Sequence, residues 1–169
     1  MVVRVLLFVV LTAGVALSVL GLGQAQTPPV APAPGAAAPQ AYRPGLGDLM
    51  TMTVQPRHTK LGLAGQEKNW AYAAYELHEL EEAFERAARV WPTYRQTNIA
   101  ETIVATTKEP MEAVSQAIKS ADSARFAEAY GRLTATCNAC HQSTERPLVV
   151  IQVPKTSPFP DQDFRPTKP

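Results

Sequence analysis

Both cysteines of this 169-residue chain fall in one pentapeptide, Cys137-Asn138-Ala139-Cys140-His141, and an imidazole follows the second thiol directly. This C-x-x-C-H spacing is that of covalent c-type haem attachment, in which two thiols form thioethers with the haem vinyl groups and the histidine ligates iron. On a helix, positions 137, 140 and 141 lie within about one turn, so both sulfurs and the ring can face one flat macrocycle. Three other chemistries use the same residues. A C-x-x-C pair serves thiol-disulfide exchange when its first cysteine is activated at a helix N-terminus, but here the pair sits near a helix C-terminal end and no strand precedes it. A soft-metal site for copper or zinc could combine both cysteines, His141 and a methionine. A structural disulfide across so short a loop would restrict the unfolded chain little.

The helix that carries the motif is legible. Asp122 can cap it, and Phe126, Tyr130, Leu133, Cys137 and His141 fall on one face. Before it, Asn98 can cap a helix bearing Ile99, Ile103, Met111, Val114, Ile118 and Ala121, with Pro110 as a kink or restart. Trp70, Ala73, Leu77, Leu80, Phe84, Ala87 and Trp91 recur alternately by three and four, with Glu79, Glu82, Glu85, Arg86 and Arg89 off the stripe, and Pro92 ends the run. Leu46 to Ala64 reads as a first helix closed by Gly65, which Pro56 either kinks or begins anew. No core segment alternates as a strand should. The expected fold is therefore all-α: an antiparallel four-helix bundle over residues 45–146 with an extended C-terminal tail over 147–169.

The flanks have a different composition. Met1 to Arg4 is a short charged start, Val5 to Leu22 is apolar throughout, and Gly23-Gln24-Ala25 offers small residues for cleavage, so residues 1–25 read as a secretory signal peptide. An uncleaved membrane anchor is the alternative, since about 20 apolar residues span a bilayer. Either way the expected location is periplasmic, with membrane contact only if the segment is retained. Residues 26–44 form a Pro/Ala-rich linker that lacks the apolar mass to fold alone. Of the 15 prolines, only Pro56, Pro92 and Pro110 lie in the core. The formal net charge of +1 falls to zero once Arg4 leaves with the signal. That balance gives no basic footprint for nucleic acid and no long-range steering toward a particular redox partner. No Ser-His-Asp order, glycine-rich phosphate loop or supported carboxylate pair is visible, so no substrate chemistry is expected and the chain is not read as an enzyme.

Signal segment, four-helix pattern and a C-x-x-C-H at the end of the last helix together make residues 45–146 resemble the class II c-type cytochromes, the group of cytochrome c′ and its low-spin, methionine-ligated relatives. The resemblance implies one covalent haem c held by Cys137 and Cys140, His141 as proximal iron ligand, and a residue of the first helix on the other side of the haem. It also implies periplasmic redox partners, the cytochrome c maturation machinery and a homodimer. In an up-down-up-down bundle the end of the fourth helix lies beside the start of the first, so the site should face Leu49 to His58. Met50, Val54, His58 and Leu61 make one stripe there; Leu49, Met52, Pro56, Thr59 and Leu63 make another, and periodicity does not choose. Met50 or Met52 is the preferred sixth ligand, giving low-spin iron suited to electron transfer. His58, in the charged stretch Arg57-His58-Thr59-Lys60, ranks below them as a residue of a solvated or propionate-facing segment. With no sixth ligand, the resemblance points instead to a five-coordinate binder of nitric oxide or carbon monoxide.

Several other residues are candidates of lesser weight. Arg57, Lys60, Arg132 and Arg146 could each pair with haem propionates. Trp70 and Trp91 read as core, and His78 as a surface residue. The chain departs from the class II pattern by continuing from His141 to Pro169. Pro147-Leu148-Val149-Val150-Ile151-Gln152-Val153-Pro154 is apolar and β-branched, and Phe159 and Phe164 follow between prolines. An extended strap over the haem-bearing end is expected, limiting solvent access.

Overall fold

The computed structural model describes residues 41–167; the expected signal or anchor, residues 1–25, and linker residues 26–40 lie outside the described residues. Helix dominates what is described. A first rod consists of α1 (Leu46–Leu49), a π-helical turn (Met50–Val54) and α2 (Gln55–Gln66); α3 (Trp70–Val90), α4 (Ile99–Lys119) and α5 (Ser123–Ser143) follow.

The long helices start where a side chain can satisfy free backbone N–H groups. Asn69 accepts from the Tyr72 amide, Asn98 from that of Glu101, and Asp122 from those of Ala124 and Arg125. Their ends are less conventional. Lys68, Ala121 and Glu145 occupy the left-handed region, with φ of 57°, 52° and 59°, each closing a paired set of bonds back to the last turn. Gly65 therefore does not close the first rod, as its position had suggested. It lies inside α2, where a Cβ would meet the Phe126 ring of α5 at 2.0 Å.

Pro56 begins the regular part of the first rod. Lacking an N–H, it cannot donate to the Met52 carbonyl, and its ring crowds that group. The preceding residues take the wider π register, in which the Gln55 amide reaches the Met50 carbonyl. Pro110, by contrast, is carried within α4 and buried in the core. A two-residue antiparallel ladder, Thr93–Tyr94 with Thr97–Asn98, links α3 to α4 and corrects the expectation that no strand would form.

α2 packs on α3, α3 on α4, α4 on α5, and α5 back on α2. Most stripe positions are buried: Ala73, Leu77, Leu80, Phe84 and Ala87 of α3; Ile99, Ile103, Met111, Val114 and Ile118 of α4; Phe126, Tyr130 and Leu133 of α5. Ala121, expected on the α4 stripe, instead lies past that helix and is exposed. Trp70 and Trp91 are half-buried at the two ends of α3, where Trp91 donates to the Pro44 carbonyl and lies under the Arg43 guanidinium. One acidic residue breaks the pattern. Glu76 is fully buried, held by Arg57 at 3.3–3.4 Å, while the same guanidinium reaches Glu79 at 2.9 Å. No helix among the described residues is long and apolar enough to cross a membrane.

Beyond Arg146 the chain carries neither helix nor strand as far as Thr167, with turns at Pro147–Leu148 and Pro160–Asp161. It runs back along the helices: the Gln66 side chain donates to the Pro154 carbonyl, Asn69 donates to the carbonyls of Phe164 and Arg165, and Phe164 is buried.

Candidate functional site

The C-terminal half of α5 presents Thr136, Cys137, Cys140 and His141, with Thr144 just past its end, to a cavity of about 300 Å³, a size at the lower end for small-molecule sites. Both cysteines and the motif histidine thus share one wall, as their helical spacing requires. The facing wall is the first rod, contributing Met50, Val54 and His58 at four-residue intervals. Phe84 and the α4 residues Ile99 and Ile103 supply further apolar surface, and Tyr94, Arg146, Val149 and Ile151 complete the lining from the hairpin and tail.

Between the two stripes that periodicity left open, the tertiary structure turns the one holding Met50, Val54 and His58 toward the cavity. Met52 is 75% exposed and does not line it, so its candidacy as an axial ligand is corrected. Only two positions after Met50, it lies well round the rod from it.

His58 also departs from expectation. It is 3% exposed rather than solvated, stacked on Tyr130 at 4.8 Å between ring centroids. The Thr134 hydroxyl donates to the Tyr130 carbonyl at 2.9 Å, which leaves its oxygen to accept from His58 Nε2–H at 3.0 Å. The Tyr130 hydroxyl donates to the His58 carbonyl at 2.8 Å and lies 3.1 Å from His58 Nδ1. Burial pushes the imidazole down to about 4, keeping it neutral. With both nitrogens engaged by protein partners, His58 is a packed wall residue more than a free donor.

The thiols are free, half-buried and protonated at neutral pH. Burial, aided by the neighbouring Cys140, pushes Cys137 up to about 11, and burial raises Cys140 as well. A nucleophilic redox cysteine needs the opposite shift. His141 donates from Nδ1 to the Val149 carbonyl at 2.8 Å.

Of the four cations considered for acidic groups of a ligand, the cavity takes one. Arg146 lines it and donates to the Tyr94 hydroxyl at 3.1 Å. Arg57 is committed to Glu76 and Glu79, Arg132 pairs with Glu128 on the surface, and Lys60 sits over the Phe159 ring. Sequence reasoning missed Tyr94 and the threonines of α4 as lining residues; the four-residue spacing of Thr102 and Thr106 beside Ile99 and Ile103 was the available signal. His78 is exposed and pairs with Glu82. Comparison of the chain with protein-family models, curated proteins and solved structures yields no match.

Proposed function

We propose that the chain is an exported monohaem c-type cytochrome of the class II kind, an antiparallel four-helix bundle that passes single electrons between periplasmic partners. The observation that carries this reading is that both thiols and the motif imidazole line one largely apolar cavity. The donor set suits haem c: two thiols for thioether bonds, an imidazole for iron, apolar walls for the macrocycle, and Arg146 with Tyr94 for the acidic edge. Bound haem would supply a one-electron iron couple. In this reading Cys137 and Cys140 would hold the group, His141 would ligate its iron, and Met50 on the facing wall would supply the further donor. Ile99, Ile103 and Phe84 keep water from the site, favouring the less charged state and raising the potential.

A second reading keeps the same attachment but leaves the iron five-coordinate. It draws on the facing wall beside Met50, where Val54 and Leu46 carry no ligating atom and would leave an apolar pocket for nitric oxide or carbon monoxide.

The deciding experiment is an optical spectrum of the purified exported protein, oxidised and reduced, with carbon monoxide addition and a denaturing haem stain. Covalent haem with a low-spin spectrum indifferent to carbon monoxide is expected. A high-spin spectrum that shifts on carbon monoxide addition would replace electron transfer by gas binding. Absence of haem from protein made in a host able to attach it would overturn both readings.

A further inference from the structure

We infer that Asn138 and the tail residues Val149–Ile151 form a clasp that fixes the orientation and tautomer of His141. The inference rests on the reading of His141 as the proximal ligand. α5 ends at Ser143, and the left-handed turn at Glu145 reverses the chain, locked by the Arg146 amide donating to the His141 carbonyl at 2.7 Å. The returning segment then meets the motif twice. Asn138, between the two cysteines, donates from Nδ2 to the Ile151 carbonyl at 2.9 Å and accepts from the Ile151 amide at 2.7 Å. Its side-chain amide thus pairs with one tail residue as a strand neighbour would, and this sets the tail's register. Two residues earlier in that register the Val149 carbonyl accepts from His141 Nδ1 at 2.8 Å.

Burial does not account for this placement. Leu148, Val149 and Val150 are 83%, 40% and 62% exposed, so the stretch gains little from leaving water. Its fixed contacts here are hydrogen bonds to the motif, and its far end is tied down by Phe164.

A backbone carbonyl only accepts, so His141 Nδ1 must carry the proton, and in the neutral ring Nε2 keeps a bare lone pair. That is the ligating form. A hydrogen bond on the other nitrogen also makes an imidazole a stronger donor to metal and stops the ring from turning. Asn138 is accordingly a positioning residue, acting on His141 through the tail.

The test uses the full chain with ¹⁵N-labelled histidine and two variants that loosen the clasp from opposite sides, Asn138→Ala and Ile151→Pro. In the reduced wild-type protein His141 should be a fixed Nδ1–H tautomer. In either variant its Nδ1 proton should exchange at least about fivefold faster, the worth of one net hydrogen bond. The iron–imidazole stretching frequency should fall and the midpoint potential should rise. A wild-type His141 that interconverts tautomers, or variants in which exchange, frequency and potential all stay put, would overturn the clasp. A chain without haem whose His141 still holds the Nδ1–H tautomer, and loses it in the variants, would sustain the clasp while removing the proposed function.

Discussion

Replacing Gly65 and Gly131 by alanine should move stability in opposite directions. Both are helical glycines, and alanine in place of glycine within a helix gains about 0.5–1 kcal/mol by itself. At Gly131 an added Cβ meets nothing within 4 Å, so that gain should appear in full. At Gly65 the new carbon would stand 2.0 Å from Phe126 Cε1 and 2.1 Å from Cζ, so the ring must retreat by more than an ångström to reach ordinary contact at 3.4 Å. The ring has little room: Phe126 is 3% exposed, stacked on Tyr130 at 5.7 Å and edge-on to Trp70 at 5.8 Å. Overpacking of this kind costs about 1–3 kcal/mol, so Gly65→Ala should lose about 1–2 kcal/mol net. Urea titrations of the two variants should then differ by about 1.5–3 kcal/mol, read as shifted midpoints at an unchanged slope. Because Tyr130 stacks in turn on His58, the same variant should also disturb the cavity wall. Equal midpoints for the two variants would refute the claim that α2 approaches α5 closely at Gly65.

The other predictions concern the site and its supports. Met50→Ala should convert a haem indifferent to carbon monoxide into one that binds it, whereas Met52→Ala should leave the optical spectrum unchanged; an unchanged Met50→Ala spectrum would remove Met50 as ligand. His58, with its folded pKa near 4 against 6.5 unfolded, should make stability pH-dependent. Between those values the unfolded chain binds the extra proton, so stability present above pH 6.5 is lost as pH falls toward 4, by about 3 kcal/mol in full. Urea midpoints across that range should show the loss, and His58→Gln should flatten it. Arg57→Met should cost about 3 kcal/mol by stranding the buried Glu76 carboxylate, and adding Glu76→Gln should recover part of the loss in thermal unfolding.

Local chemistry was enough for the motif and for three of the four helical rods. Pro92 stops α3 without help from the rest of the chain, and Asn98 and Asp122 cap α4 and α5 through bonds to residues two or three positions away. Periodicity then placed Cys137 and His141 on the face of Phe126 and Tyr130, and the C-x-x-C-H spacing is the ground on which haem attachment is proposed there. The first rod was not legible in this way. Its two stripes are both apolar, and Leu49 and Leu63 of one are buried as fully as Val54 and Leu61 of the other, so only the position of the neighbouring helices decides which side faces the cavity. The π turn forced by Pro56 breaks the 3.6-residue phase at that point as well. Gly65 looks like a terminator until the Phe126 ring is set against it, and His58 looks solvated until Thr134 and Tyr130, 76 and 72 residues away, close around it. The partners of Asn138 and His141 in the tail likewise depend on a chain reversal at a non-glycine residue, Glu145. Residue type and spacing determined what chemistry the chain could carry. Contacts between residues far apart in sequence decided which side chains surround it, because a side chain's burial and free hydrogen-bonding groups are set by what packs against it.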